Sequence, residues 1–196
     1  MTRRALLALV AVLVVTLIGR AILLASGTVS FHSDEAVVGL MARHILQGER
    51  PVFFYGQAYM GSLDAWLIAV GFAVLGESVL TIRIVESLLY LLIVASGYAA
   101  ALRISGRVIV AAVAALVFAV PNVLLAVYTT ATLGGYNETL LLGNLILLLG
   151  WDVSHEYRRS LWRWALLGLC AGVGWWTNGL IIAYALPVGV LIVWDA

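Results

Sequence analysis

The sequence predicts an all-α protein, a polytopic transmembrane helix bundle of about six spans. Of its 196 residues, 64% are hydrophobic and 11% are charged, whereas a soluble domain carries about 25% charged residues. Long apolar stretches follow one another along the chain, and clusters of arginine separate them. A core this small cannot bury so much apolar surface, so lipid must solvate much of it.

The first apolar stretch, residues 5–25, is long enough to span a bilayer. It follows Arg3 and Arg4 and is interrupted only by Arg20. A signal peptide has an apolar core of about 7–15 residues, whereas a span needs about 20. We therefore interpret residues 1–25 as an uncleaved first span, with a cleaved signal peptide as the alternative.

Arginine clusters orient the remaining stretches. They lie at residues 3–4, 103–107 and 158–163, and positive residues favour the cytoplasmic side of a membrane. The N-terminus is therefore expected to be cytoplasmic, and residues 26–78 form an extracytoplasmic loop. The remaining spans lie within residues 79–196, at 79–102, 108–127, 136–152, 164–176 and 179–194. We expect one membrane domain over residues 1–196, truncated at its C-terminus because the chain stops directly after an apolar run.

The extracytoplasmic loop is expected to carry two juxtamembrane helices. Residues 33–47 have an N-cap candidate in Ser33, an apolar face at helical spacing and a stop at Gly48. The aromatic residues 51–56 read as a loop at headgroup level. Residues 63–76 are too short to span, because about 13 apolar residues rise only about 20 Å, so they form an interfacial or re-entrant helix.

Asp34 and Glu35 are the first candidates for chemistry. A carboxylate at the start of a surface helix is placed to take a proton from an attacking hydroxyl, or to hold a divalent cation against a phosphate leaving group. An acidic helix start, stabilised by the helix dipole, is the commoner explanation of such a pair. His32 lies beside the pair and, with Asp34, offers two potential metal ligands.

Charged and polar residues elsewhere add candidates. Arg83 and Glu86, at i and i+3 in the second span, are placed either to pair with each other or, for Arg83, to bind a phosphate. Glu138 follows a glycine pair on an outer turn and either lines the same cavity or caps the next helix. Asn178 lies between two apolar runs on the same side, where a simple turn is the alternative. For Arg20, snorkelling to the headgroups is the favoured interpretation.

Several function classes are excluded or disfavoured. The net charge of +1 gives no reason to expect nucleic acid as a partner. The single Cys170 excludes a disulfide framework within the chain. The sequence has no Gly-rich phosphate loop, HExxH motif, nucleophile elbow or CxxC motif.

The run Ser33-Asp-Glu-Ala-Val-Val-Gly-Leu-Met-Ala-Arg-His-Ile-Leu-Gln-Gly48 resembles the first outer loop of membrane glycosyltransferases with the GT-C fold. The nearest group is that of the protein O-mannosyltransferases and lipid A aminoarabinose transferases, in which an acidic pair opens a juxtamembrane helix that ends in Gly. Leu75-Gly76, Arg83 and a span ending in Arg are similar too. Residues 176–187, Trp-Thr-Asn-Gly with an apolar run and Pro, resemble a later hairpin that often holds Thr-Lys-Gly. The resemblance covers nearly all of this chain but only the N-terminal part of a usual family member.

This resemblance implies a mannosyltransferase-like enzyme that moves a sugar from a polyprenyl-phosphate-linked donor to a lipid, glycan or protein acceptor on the extracytoplasmic face, among membrane lipids. Asp34 would be the general base or site organiser and Glu35 its partner, while Arg83, Glu138 and Asn178 would bind donor phosphate or substrate. No cofactor is implied with certainty; a divalent metal stays open, with Asp34, His32 and Glu138 as candidate ligands. The chain departs from relatives at Gly61-Ser62, where several carry Lys-Pro, and at Asn178, where Lys is usual.

Two other functions remain open from sequence. A transporter or flippase is one, although such proteins place charges near the bilayer midplane, whereas the acids here are expected at the outer surface. A non-catalytic membrane scaffold, or a catalytically dead fragment, is the other.

Overall fold

The structure, a computed structural model, describes residues 2–155 and 159–195. Arg158, from the third arginine cluster, lies outside the described residues, as does Ala196. Helices make up most of the described chain, which agrees with the predicted all-α class, although one small antiparallel hairpin is added. The elements are α1 (Arg3–Ser26), α2 (Ser33–Leu46), β1 (Phe53–Phe54), β2 (Gln57–Gly61), α3 (Leu63–Leu75), α4 (Val79–Ser105), α5 (Val108–Ala119), α6 (Val123–Tyr128), α7 (Tyr136–His155), α8 (Leu161–Thr177), a 3₁₀ turn (Gly179–Ile181) and α9 (Ile182–Trp194).

The structure differs from two local predictions. Residues 108–127, predicted as one span, form two helices, α5 and α6, because Pro121 has no N–H to continue the helical ladder. Asn122 then starts α6, since its Oδ1 accepts a hydrogen bond from Leu125 N at 2.9 Å. The aromatic segment at 51–56 was expected to be a loop, but it contributes to the hairpin β1–β2, whose turn uses Gly56 at φ +78°.

Side-chain bonds between helices show how the bundle is arranged. Tyr98 of α4 donates to the carbonyl of Ala5 in α1 at 2.8 Å, whereas the other end of α1 meets the start of α4, so these two helices are antiparallel. Along α4 and α7, Asn144 Nδ2 reaches the carbonyl of Ile93 at 3.0 Å and Arg103 reaches Asp152 at 2.7 Å, so these helices are parallel.

The bundle therefore has two chemically different ends. At the arginine end, Asp152 of α7 accepts from both Arg103 of α4 and Arg163 of α8. The hairpin end is defined by β1–β2, α2, the first turns of α4 and α7, and the last turn of α8. All of the candidate site residues from the sequence lie at the hairpin end.

The helix predicted at 63–76 is α3, and it belongs to the core of the hairpin end. Its Ile68 and Phe72 are buried with Val38 and Met41 of α2. Gly71 allows α3 to approach α4 closely, because a Cβ there would lie 2.5 Å from Val85 Cγ2. This packing fixes α3 between α2 and α4, so that its first turn points into the bundle.

Long apolar helices support an association with a membrane. Among the described residues, α1 and α4 are long and apolar enough to cross a bilayer. In α1, apolar side chains such as Leu7, Leu17, Ile18 and Ile22 are more than half exposed, which a surface facing water rarely shows over a whole helix face.

Candidate functional site

The start of α2 places Asp34 at the surface of the hairpin end. The N-cap is His32 and not Ser33 as predicted, because His32 Nδ1 accepts the Asp34 N–H at 3.2 Å. A ring nitrogen that accepts this bond carries no proton of its own, so the 3.6 Å approach of His32 Nδ1 to Asp34 Oδ2 is not an ion pair. The Asp34 side chain is 35% exposed and is available to a ligand from solution.

The neighbouring Glu35 faces the opposite way and anchors α2. Its side chain is fully buried and accepts two bonds from Arg83 of α4, Nε to Oε1 at 3.0 Å and Nη2 to Oε2 at 3.2 Å. This fork-to-fork geometry is the strong form of an arginine–carboxylate pair. Arg83 thus pairs with Glu35 across two helices and not with Glu86 on its own helix.

Behind this surface lies a cluster of three carboxylates, the buried acid cluster, formed by Asp64, Glu86 and Glu138. The three residues come from the first turn of α3, the second turn of α4 and the first turn of α7, and each is at most 3% exposed. One carboxylate oxygen from each lies within 4.8 Å of those from the other two. Asn137 touches the cluster as well, because its Nδ2 donates to Glu86 Oε2.

The loop from α6 to α7 wraps around Asp64. Thr132 donates to Asp64 Oδ2, and the backbone of Gly134 and Gly135 passes close to this carboxylate. Both glycines have positive φ, +91° and +80°. A Cβ on Gly135 would lie 2.7 Å from Thr177 Cγ2, so the loop can pass this close to α8 only with glycine there.

Charge repulsion makes this cluster unstable unless something neutralises it. At an effective dielectric constant of about 20, two charges about 5 Å apart repel by about 3 kcal/mol. Burial raises the pKa of Asp64, although its interactions with Thr132, with Glu86 and with the backbone of the two glycines lower it in part. Three carboxylates in this position therefore need shared protons or a bound cation.

The guanidinium of Arg20 lies beside the buried acid cluster but does not bond to its carboxylates. Arg20 of α1 is 3% exposed, so the snorkelling interpretation is wrong. Its guanidinium donates to Ser87 Oγ at 3.3 Å, to Thr129 Oγ1 at 3.1 Å and to the Thr129 carbonyl. It also stacks over Tyr90, 4.7 Å from the ring centroid. Arg20 contributes favourable long-range attraction to Glu86, but its hydrogen bonds go elsewhere.

An aromatic cavity of about 700 Å³ opens at the same end, between the hairpin and the junction of α8 with α9. Asn178 lies in its wall, where its Oδ1 accepts from Leu180 N at 3.0 Å and starts the 3₁₀ turn. Tyr136, the first residue of α7, lies within range of the charge of Asp34 and also interacts with Tyr59, a residue of the cavity wall. Its lining residues are Phe53, Ala58, Tyr59, Trp175, Trp176, Asn178, Gly179 and Leu180.

The site residues predicted from sequence do not all lie together in the structure. Asp34 and His32 stay together at the surface, while Glu138 lies in the buried cluster. In the described part of the chain, the group of acids and histidines close enough to hold one ion is the buried acid cluster, not His32, Asp34 and Glu138. Asp64 was missed altogether. A lone acid in the apolar stretch 63–75 was the available signal, because an ionised group in such a segment is a functional candidate by default.

In comparisons with known proteins, no family model, no curated protein and no solved structure matches the chain.

Proposed function

We propose that this protein is a multi-span membrane glycosyltransferase of the GT-C type, which moves a sugar from a polyprenyl-phosphate-linked donor to an acceptor on the extracytoplasmic face. The position of Asp34 carries the proposal. Its part-exposed carboxylate sits on a helix that Glu35 and Arg83 hold in place, at the end of the bundle where the aromatic cavity opens. A base must be both accessible and rigidly positioned, and Asp34 meets both conditions.

The proposed reaction is a direct displacement at the sugar. The acceptor hydroxyl attacks C1 of the sugar, the bond from C1 to the phosphate oxygen breaks, and polyprenyl phosphate leaves with the bonding electrons. Asp34 takes the hydroxyl proton and passes it to solvent. One base is enough, because no covalent enzyme intermediate forms.

The aromatic cavity suits the sugar of such a donor. Phe53, Tyr59, Trp175 and Trp176 offer flat apolar faces for the C–H side of a sugar ring. Several of these rings are exposed, with Tyr59 at 74% and Trp175 at 62%. A donor whose tail lies in the bilayer reaches such a cavity from the membrane interface.

The arginine end is the proposed cytoplasmic side. Arg3 and Arg4 begin α1 there, close to the end of α4 that carries Arg103, and Arg107 follows. Positive residues favour the cytoplasmic face, so the hairpin end with Asp34 would be extracytoplasmic. Under this proposal, α5 to α9 join α1 and α4 in the bilayer.

Transfer of a labelled sugar from a polyprenyl-phosphate donor tests the proposal, in membranes with matched protein levels. Asp34→Asn is expected to lower transfer at least about a hundredfold, as loss of a general base does. Glu49→Gln, a change at an exposed carboxylate of the same end, is the control and is expected to leave transfer close to wild type. Equal transfer by wild type and Asp34→Asn would reduce Asp34 to an acidic helix start. No transfer by the wild type across a panel of donors would reject the function.

A cation-coupled transporter is the second candidate, and the buried acid cluster favours it. Asp64, Glu86 and Glu138 lie between helices and not at the surface, which weakens the sequence argument against transport, although the cluster still belongs to the hairpin end. Uptake into proteoliposomes that depends on an imposed proton or cation gradient, and that Glu86→Gln abolishes, would favour this alternative over the transferase.

A further inference from the structure

We propose that Asp64, Glu86 and Glu138 bind one hard divalent cation inside the helix bundle, with the side-chain carbonyl of Asn137 as a further ligand. This site differs from the surface pair His32 and Asp34. The proposal does not depend on the transferase reaction, because cation binding is measured directly.

The first argument is geometric. Three elements that are distant in sequence, α3, α4 and α7, each contribute one carboxylate, and their nearest oxygens lie within 4.8 Å of one another. A calcium-sized ion with bonds of about 2.3–2.6 Å joins oxygens up to about 5 Å apart. One ion at the centre can therefore bind all three carboxylates without movement of the helices.

The second argument is that most of the oxygens of the cluster accept no hydrogen bond from the residues around it. Among the described residues, buried atoms without a hydrogen-bond partner include Asp64 Oδ1, Glu86 Oε1, Asn137 Oδ1 and both carboxylate oxygens of Glu138. Buried polar atoms in folded proteins almost always have a partner, so this concentration indicates a missing ligand. That ligand must be electron-poor, because every one of these atoms is an acceptor once the carboxylates are ionised.

The amide of Asn137 is oriented for this role. Its Nδ2 contacts three acceptors: the carbonyl of Glu86 at 3.4 Å, the carbonyl of Thr129 at 3.1 Å and the carboxylate of Glu86. If the amide were flipped, its oxygen would face these three acceptor oxygens, so the nitrogen and oxygen of the Asn137 amide are assigned correctly. The three bonds of Nδ2 hold the amide in place, and its Oδ1, which has no hydrogen-bond partner, is available to a cation.

The ligand set selects the class of ion. Carboxylate and amide oxygens, with no sulfur or imidazole, suit Ca²⁺, Mn²⁺ or Mg²⁺ and give no preference for Cu or Zn. Mg²⁺ demands near-octahedral bonds of about 2.0–2.1 Å, which requires the three carboxylates to draw together. We therefore expect Ca²⁺ and Mn²⁺ to bind more tightly than Mg²⁺.

The test uses the full chain purified in detergent and stripped with a chelator. Isothermal titration with Mn²⁺ and Ca²⁺ measures affinity and stoichiometry, and electron spin-echo spectroscopy of bound Mn²⁺ reads its ligands. The wild type is expected to bind one ion without coupling to a histidine nitrogen. Glu86→Gln and Glu138→Gln are each expected to weaken binding at least about tenfold. Glu49→Gln, at an exposed carboxylate, is expected to bind as the wild type does.

Thermal unfolding provides a readout in case a variant is impaired. At a hundredfold excess over the dissociation constant, the cation is expected to raise the melting temperature of the wild type by about 5 °C or more. Failure of the wild type to bind or to gain stability at millimolar Mn²⁺ and Ca²⁺ would overturn the proposal and leave shared protons as what neutralises the cluster. Histidine coupling in bound Mn²⁺ would overturn it as well, because it would place the ion at the surface near His32.

Discussion

The ion pair between Glu35 and Arg83 should be a main stabiliser of the hairpin end. Removing the arginine should cost more unfolding free energy than removing the glutamate. Glu35 is fully buried, whereas the Arg83 side chain is 13% exposed. Removing one partner of a buried pair costs about 3–5 kcal/mol, because the other charge stays buried without compensation. The two single variants differ in whether the charge that is left behind can reach water.

In Arg83→Met, the remaining carboxylate of Glu35 sits on a short side chain in the core and cannot reach solvent. We expect this variant to lose about 4–5 kcal/mol of unfolding free energy. In Glu35→Met, the guanidinium can swing outward on its flexible stem, so we expect a smaller loss of about 2–3 kcal/mol. The double variant replaces both charges with apolar groups of similar length and should fall within about 1 kcal/mol of the wild type.

Denaturant titration in micelles, followed by tryptophan fluorescence, measures these free energies for the wild type and the three variants. The decisive feature is that the double variant should be more stable than either single variant. If the two single losses simply add in the double variant, within about 0.5 kcal/mol, the residues do not interact and α2 is held by its apolar face alone.

Two further predictions concern helix packing and use the same titration. Arg20→Met should lower the unfolding free energy by about 2–3 kcal/mol, because it removes the donors to Ser87 and Thr129. As a control, Arg107→Met at the exposed arginine end should change the unfolding free energy by less than about 0.5 kcal/mol. Equal losses in the two variants would contradict the burial of Arg20. Gly150→Ala should lower the unfolding free energy by about 1–3 kcal/mol, since its Cβ would lie 2.3 Å from a Val188 methyl. Gly172→Ala, with nothing within 4 Å of its Cβ, should raise the unfolding free energy by up to about 1 kcal/mol. A gain in stability at both positions would mean that α7 and α9 are not in close contact.

Most element boundaries follow from the sequence because apolar periodicity and helix stops act locally. The juxtamembrane helix predicted at 33–47 is observed at Ser33–Leu46, and the helix predicted at 63–76 is observed at Leu63–Leu75. The N-cap of α2 was misassigned by one residue, to Ser33 and not His32. An imidazole nitrogen accepts the capping bond here, a role in which Ser is the commoner residue. The break at Pro121 was overlooked because the apolar run continues through it.

The candidate site was harder to predict because its parts depend on tertiary contacts. Asp64, Glu86 and Glu138 are separated by 22 and 52 residues in sequence, so no local spacing brings them together. Arg83 has Glu86 at i+3 on its own helix, yet Glu35 on α2 offers a fully buried bidentate partner that local pattern cannot reveal. Asp34 is the exception, because the sequence placed it at the start of a surface helix and its side chain is 35% exposed there.

The separation of the two ends has an electrical consequence. Exposed Arg3, Arg4 and Arg107 lie at one end of the bundle, and the three acids of the buried cluster lie toward the other, so the molecule carries a dipole along its helix axes to the extent that the cluster keeps negative charge. Each charge moved through a membrane potential of 100 mV changes the energy by about 2.3 kcal/mol. In the proposed orientation, with the arginines on the negative cytoplasmic side, a resting potential stabilises the inserted protein and draws an external cation toward the buried acids.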